Sequence, residues 1–193
     1  MKNSVLTPSL ADSMVRVTES AAIAAAKLVG RGDEKKADAA AVDAMRTAFN
    51  EVDFQGRVVI GEGERDEAPM LYIGEEVGTG KGAEIDIALD PLEGTTLTAK
   101  AMANALAVLA AAAEGCLLNA PDVYMDKLAV GPGYPEGIID LAKSPSDNVR
   151  AVAKHKGMDV TDMTACVLDR PRHEGIIESL RSVGARVALI TDG

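Results

Sequence analysis

The stretch that decides the interpretation of this chain is Asp86-Ile87-Ala88-Leu89-Asp90-Pro91-Leu92-Glu93-Gly94-Thr95-Thr96. Its apolar first half predicts a strand that runs into two carboxylates, and the proline between them favours a turn because its φ is fixed. The following glycine allows a ligand to approach the backbone closely, and the threonines open a segment that can be helical, Leu97 to Met102. A helix start offers free N–H groups to an anion. Carboxylates for a hard cation and amides for a phosphate therefore meet within one short stretch, which is typical of metal-dependent phosphatases.

Further acidic residues follow directly after a strand predicted over residues 57–60. They are Glu62, Glu64, Asp66 and Glu67. This group is either a solvated acidic loop or a second set of cation ligands. Massed negative charge is unfavourable unless a cation neutralises it, so two strand ends that both carry carboxylates make a shared cation site the simpler explanation.

Some acidic positions also have a purely structural alternative. Asp90 and Glu93 could serve a strand-to-helix turn as capping carboxylates. For Asp38 the structural alternative is an interaction with the dipole of a helix predicted over 37–50. For Asp33 this interaction is the only role that we assign.

A basic cluster follows a strand predicted over residues 164–168. It reads Arg170-Pro171-Arg172-His173. Guanidinium groups bind phosphate through paired hydrogen bonds, so the cluster is either a phosphate clamp or the exposed start of a helix.

Composition excludes several classes of protein. The chain has 193 residues, a formal charge of -10, 47% hydrophobic and only 3% aromatic residues, so its core must be aliphatic. It has no run of basic residues interleaved with aromatic ones, which argues against a nucleic-acid surface. Two isolated cysteines and an N-terminus without a signal-peptide pattern favour a cytoplasmic location. The longest apolar stretch, Ala105 to Ala113, is too short to span a membrane.

Hydrophobic periodicity predicts an α/β fold. We expect helices from Met14 to Leu28 and over 37–50, and strands over 57–60, 70–73, 84–89 and 105–113. For the segment 105–113, periodicity alone does not distinguish a strand from a helix. Asn104 and Gly115, which bracket this segment, favour a strand. A Gly/Pro/Ser/Asp-rich loop covers 131–147. A β-α-β unit over 164–168, 174–182 and 186–190 then predicts a right-handed crossover. We assign 1–158 to a metal- and phosphate-binding lobe and 159–193 to the start of a second one.

Several blocks of this sequence resemble one known family. They are Val59-Ile60-Gly61-Glu62-Gly63-Glu64-Arg65-Asp66-Glu67-Ala68-Pro69-Met70-Leu71-Tyr72-Ile73-Gly74, Asp90-Pro91-Leu92-Glu93-Gly94-Thr95, Asn119-Ala120-Pro121-Asp122-Val123-Tyr124-Met125, Arg170-Pro171-Arg172-His173 and Asp192-Gly193. Together they resemble the class II fructose-1,6-bisphosphatases of bacteria. The Asp-Pro-x-Glu-Gly-Thr motif is shared more broadly, with the lithium-sensitive sugar and inositol phosphatases.

The resemblance implies a layered αβαβα sugar-phosphatase fold, Mn²⁺ or Mg²⁺ as cofactor, and a homo-oligomer, dimer or tetramer. It implies hydrolysis of the 1-phosphate of fructose 1,6-bisphosphate to fructose 6-phosphate in gluconeogenesis and glycerol metabolism. The implied metal ligands are Asp38, Glu62, Asp90 and Glu93. The implied catalytic residues are Asp66, Thr95 and Glu64. The implied substrate contacts are Glu93, Gly94, Thr95, Tyr124, Arg170, Pro171, Arg172, Asp192 and Gly193.

Members of that family are longer than this chain. The resemblance therefore predicts a second lobe that is truncated here, without an acidic residue that follows Gly193 and without a later glutamate ligand. Two alternatives stay open at this point. One is a sedoheptulose-1,7-bisphosphatase or a dual enzyme, and the other is an inactive remnant that binds a metal or a partner subunit.

Overall fold

A computed structural model describes residues 6–62, 71–118 and 123–192. The chain has the expected mixed α/β class and divides into two compact units, Met1–Pro121 and Asp122–Gly193. No helix in the described ranges is both long enough and apolar enough to cross a bilayer.

Two long helices open the first unit. Helix α1 spans Pro8–Ala26, starts with a proline at a position that needs no N–H, and is capped by the Thr7 side chain. Helix α2 spans Glu34–Phe49, and the Asp33 carboxylate accepts a hydrogen bond from the Lys36 N–H. Asp33 is therefore the N-cap of α2, whereas the sequence predicts only an interaction with the helix dipole. The buried residues of α1 recur at helical spacing: Leu10, Met14, Val17, Ala21 and Ala25.

A four-stranded sheet completes the first unit, in the order β2-β1-β3-β4. Its strands are β1 (Gln55–Ile60), β2 (Glu76–Val77), β3 (Glu84–Glu93) and β4 (Leu106–Ala113). β1 and β3 are parallel, whereas β2 and β4 pair antiparallel at the two edges. Alternate residues of β3, among them Ile85 and Ile87, are buried in the core that α1 and α2 share with the sheet. The strands predicted over 57–60, 84–89 and 105–113 are confirmed.

The strand predicted over 70–73 is wrong for residues 71–73. Residues 71–73 lie outside any strand, and Met70 lies outside the described residues. The chain turns at Gly74, whose φ of +91° leaves the β region, and regular pairing resumes only at β2. Two single hydrogen bonds still tie this turn to β1, from Gly74 N–H to Val58 O and from Val58 N–H to Glu75 O.

The turn predicted at Pro91 is also wrong, because β3 continues through this residue to Glu93. The register with β4 shifts between Asp90 and Glu93, and such an irregularity accommodates a residue that has no N–H to donate. The helix predicted over 97–102 is a single turn, α3 (Thr95–Ala99). It ends early because Ala101 has a φ of +56°, and the Met102 N–H closes the end by donating to Leu97 O.

The second unit contains the predicted β-α-β segment. It consists of β5 (Thr164–Leu168), α5 (Glu174–Ser182) and β6 (Arg186–Ile190), and the two strands pair in parallel as expected. A helix that was not expected, α4 (Pro145–Lys156), begins inside the predicted loop over 131–147. Because α4 packs against α5, the units divide after Pro121 and not after residue 158. One small core cluster of this unit contains the buried residues Val149, Leu180 and Ala185, and Val152, Ala153 and Ile177 are buried as well.

Candidate functional site

Two predicted metal ligands lie at the same end of the sheet. Ile60 of β1 is in register with Ala88 of β3, and the two strands are parallel. Glu62 and Asp90 each follow that pair by two residues, so both carboxylates emerge at one edge. Asp38 approaches from the N-terminal part of α2, just after its first turn, and α2 packs against β3. The three carboxylates are close enough to interact electrostatically. The charge of Asp90 acts on Asp38, and the charges of Asp38 and Asp90 act on Glu62.

The charge of this group is poorly compensated. Glu62 is half-buried, and its Oε2 atom is buried without a hydrogen-bond partner. Burial, followed by the charges of Asp38 and Asp90, raises the pKa of the Glu62 carboxyl from 4.5 to about 7. Burial and the charge of Asp90 also raise the pKa of Asp38. Each of these groups therefore resists ionisation, and a nearby cation would favour the ionised form.

These residues fit a hard divalent cation by their chemistry. Mn²⁺ and Mg²⁺ prefer carboxylate oxygens, and one carboxyl oxygen of Glu62 is buried without a hydrogen-bond partner. The set is not a finished coordination sphere, because the described part of the chain holds no group of three or more His, Cys, Asp or Glu in ligating arrangement. One oxygen of Asp90 already has a hydrogen-bond partner, because its Oδ1 accepts the Leu92 N–H at 3.0 Å.

A glycine turn adjoins the carboxylates. Gly94 has a φ of +88° and precedes α3, and no side chain caps that helix start. A Cβ at this position would lie 2.8 Å from Leu97 Cδ1, the end of a side chain that can shift, so glycine is favoured here chiefly by its backbone conformation. Glu93 ends β3 and Thr95 begins α3, both half-buried. This end of β3 thus places a carboxylate, a flexible backbone position and a hydroxyl side by side.

The predicted substrate contacts of the second unit form two pairs. Arg170 and Asp192 lie at the ends of neighbouring strands, with Arg170 Nη2 3.6 Å from Asp192 Oδ1. The Arg172 guanidinium lies 4.3 Å from the centre of the Tyr124 ring, in cation–π geometry. Pro171 begins the short 3₁₀ turn between them.

Other predicted residues are not placed by the structure. Glu64, Asp66 and Gly193 lie outside the described residues. The roles of all the predicted site residues therefore stay predictions. His173, which the basic cluster also contains, is used structurally, because its Nδ1 is 2.8 Å from Leu168 O.

Sequence reasoning missed two features near these sites. One is the ion pair between Arg46 and Glu75, which are 29 residues apart and carry no local motif. The other is Thr191, whose hydroxyl is buried without a partner next to the similarly buried Asp192 Oδ2. A threonine at a strand's end is too common to single out from sequence alone.

The fold and the site define an α/β protein whose carboxylates converge beside a glycine turn. The family model for bacterial fructose-1,6-bisphosphatase, glpX-encoded, matches residues 8–193, so the chain belongs to this family. It is 55% identical over 184 residues, 95% of its length, to fructose-1,6-bisphosphatase 1 class 2 of Escherichia coli (strain K12).

A second relative carries a double name. The chain is 50% identical over 185 residues to the D-fructose 1,6-bisphosphatase class 2/sedoheptulose 1,7-bisphosphatase of Prochlorococcus marinus (strain NATL1A). That match covers 96% of this chain and 55% of the relative, and the Escherichia coli match covers 54% of its relative. The chain thus spans about half the length of the curated relatives it matches.

Proposed function

We propose that this chain carries the metal- and phosphate-binding part of a phosphomonoesterase that converts fructose 1,6-bisphosphate to fructose 6-phosphate, a step of gluconeogenesis. Its family membership supports the reaction class. The observation that carries the metal dependence is the buried, unpartnered Glu62 oxygen beside two further carboxylates. A cytoplasmic location and a homo-oligomeric state belong to the same proposal.

In this proposal Asp38, Glu62, Asp90 and Glu93 hold Mn²⁺ or Mg²⁺. When bound, such a cation supplies positive charge for phosphate oxygens and lowers the pKa of a water molecule. Thr95 stands at the start of α3, directly after the glycine turn that adjoins these carboxylates. Its hydroxyl orients the attacking water with the help of an acidic side chain such as Asp66, Asp38 or Glu64.

The second unit contributes the recognition of the sugar phosphate. Arg170 and Arg172 present guanidinium groups, which bind phosphate in a bidentate manner. Arg170 lies beside Asp192 and Arg172 lies over the Tyr124 ring, so each contact favours one direction of the arginine side chain. Pro171 restricts the backbone between the two arginines, and Gly193 follows Asp192 in the chain.

A second candidate activity is hydrolysis of sedoheptulose 1,7-bisphosphate. The double name of the Prochlorococcus relative favours it. The carboxylate cluster would serve both substrates equally, because both present a phosphomonoester to the cation. The ratio of kcat/KM for the two sugars decides between them.

Phosphate release in the presence of Mn²⁺ tests the proposal. We expect a chain extended to the length of the relatives to hydrolyse fructose 1,6-bisphosphate, and the 193-residue chain to do so at a small fraction of that rate or not at all. In the extended chain Thr95→Ala should lower kcat about 10²–10⁴-fold with little change in KM, because the hydroxyl acts mainly in the transition state. Thr96→Ala, the adjacent threonine of α3, is the control. Equal rates for Thr95→Ala and the parent would contradict the assigned role.

A further inference from the structure

We propose that the ion pair between Arg46 and Glu75 is a positioning device for the Glu62 metal ligand. This inference rests on the proposed metal site. Arg46 lies on α2 and Glu75 lies in the segment 71–77, which returns alongside β1. Eight residues of helix, about 12 Å, separate Arg46 from Asp38, so Arg46 acts at a distance from the carboxylates.

The pair has the geometry of a specific, directional contact. Arg46 Nε donates to Glu75 Oε1 at 2.7 Å and Arg46 Nη2 donates to Glu75 Oε2 at 3.2 Å, which makes a two-pronged fork. The Glu75 side chain is only 11% exposed and that of Arg46 is 28% exposed, so the contact is largely screened from water. The hydrogen bond to Glu75 raises the pKa of Arg46, which keeps the guanidinium charged. The fork therefore fixes where Glu75 stands relative to α2.

Glu75 transmits this constraint along a short chain of hydrogen bonds. Its Oε2 also accepts the Tyr72 N–H at 3.2 Å, and its own N–H donates to Tyr72 O at 3.0 Å. The preceding residue, Leu71, accepts the N–H of Glu62 at 3.1 Å. The Glu62 backbone is thus held by a segment that the fork, four residues away at Glu75, ties to α2.

Close packing makes this arrangement sensitive to displacement. A Cβ on Gly61 would lie 2.3 Å from Leu71 O, so the two backbones already touch beside Glu62. A shift of Leu71 toward Gly61 must therefore displace Gly61 and Glu62, and a shift away stretches the hydrogen bond from the Glu62 N–H to Leu71 O. Hard cations accept oxygen ligands only over a narrow range of distances, about 2.0–2.6 Å, so a small shift of the carboxylate lowers affinity.

The experiment measures Mn²⁺ affinity by isothermal titration and, in metal-free protein, the hydrogen-exchange rate of the Glu62 amide. Arg46→Met and Glu75→Gln should each weaken Mn²⁺ binding about 10-fold, which is the lower end of the range of effects seen for residues that orient metal ligands. Each variant should also speed hydrogen exchange of the Glu62 amide. Arg46→Lys keeps the charge but not the fork and should fall in between. Asp43→Asn removes only an exposed partner of Arg46 at 3.8 Å and serves as the matched control.

The double variant Arg46→Met/Glu75→Gln separates positioning from stability. Removing both charges avoids leaving one buried and unpaired, so the melting temperature should largely recover while Mn²⁺ affinity stays low. Wild-type affinity and wild-type exchange of the Glu62 amide in any folded variant without the fork would overturn the positioning role alone. Failure of the parent chain to bind Mn²⁺ would overturn the metal site and this inference together.

Discussion

The two units of this protein treat charge in opposite ways. In the first unit Glu62 and its neighbours Asp38 and Asp90 repel one another, and one Glu62 oxygen is buried without a donor. In the second unit Arg170 already contacts Asp192, and Arg172 already lies over an aromatic ring. In the proposed function a cation completes the first arrangement, whereas the arginines of the second unit already have partners within it, even though Asp192 Oδ2 is buried without a hydrogen-bond partner. Only the first should therefore respond strongly to a metal ion.

The units also differ in how well their cores are closed. The first contains a large aliphatic cluster in which Phe49 and Phe54 are fully buried. The second has only a small buried cluster, and Leu189 and Ile190 of β6 remain about 40% exposed. The carboxylates that we propose as cation ligands thus belong to the better packed unit.

The largest expected effect concerns this difference in packing. Phe49→Ala should lower the free energy of unfolding of the first unit by about 3–5 kcal/mol, because it removes a fully buried ring. Leu180→Ala should cost the second unit about 2–3 kcal/mol, the lower end of the range, since its neighbours are partly exposed and can relax. Native-state hydrogen exchange read separately on α2 and α5 measures both. A larger loss for Leu180→Ala would reverse the comparison.

The next effect concerns the cation. Asp90→Ala should weaken Mn²⁺ binding by about 100-fold or more, since it removes one of the carboxylates that converge at the sheet edge. Asp90→Asn keeps an acceptor for the Leu92 N–H and tests whether the loss is due to charge. Asp192→Asn, in the second unit, should leave affinity within about twofold because its charge is already paired. Isothermal titration decides, and equal effects at both aspartates would break the contrast between the units.

A smaller effect should appear as pH dependence without metal. The pKa of Glu62 is raised from 4.5 to about 7 in the folded state, so folding binds a proton between these values. The resulting stabilisation is fully present below pH 4.5 and is lost as pH rises through about 7. Urea unfolding should therefore show stability falling with pH over this window in the parent, and less so in Glu62→Gln. Mn²⁺ binding in the same window should release protons, because the ligand form of Glu62 is ionised.

Sequence predicted best the elements whose boundaries are marked by strong local signals. The bounds of β5, α5 and β6 agree with the expectation, since apolar runs there end at Pro171 and Gly184. Helix α4 was missed because its capping Ser144 and its polar residues share the composition of the loop before it. The strand predicted over 70–73 failed because Gly74 turns the chain, which an apolar run does not reveal.

The site was predictable only in part, for a related physical reason. Motifs identify residues such as Glu62 and Asp90, and parallel pairing of their strands brings them to one edge. The fork between Arg46 and Glu75 depends on tertiary packing between residues 29 apart, and no local pattern encodes it. The roles of Glu64, Asp66 and Gly193 stay predictions.

The smallest expected effect tests how the second unit holds its charge. Tyr124 is 86% exposed, and a cation–π contact at an exposed site is worth about 0.5–1 kcal/mol. A double-mutant cycle of Tyr124→Leu and Arg172→Gln should therefore give a coupling energy of about 0.5 kcal/mol in urea unfolding of this unit. Tyr134→Leu in place of Tyr124→Leu is the control, since Tyr134 contacts His155 and should show no coupling to Arg172. A coupling energy well above about 1 kcal/mol would mean that Arg172 is held as firmly as a buried group. The two units would then differ only in the sign of the charges that they hold.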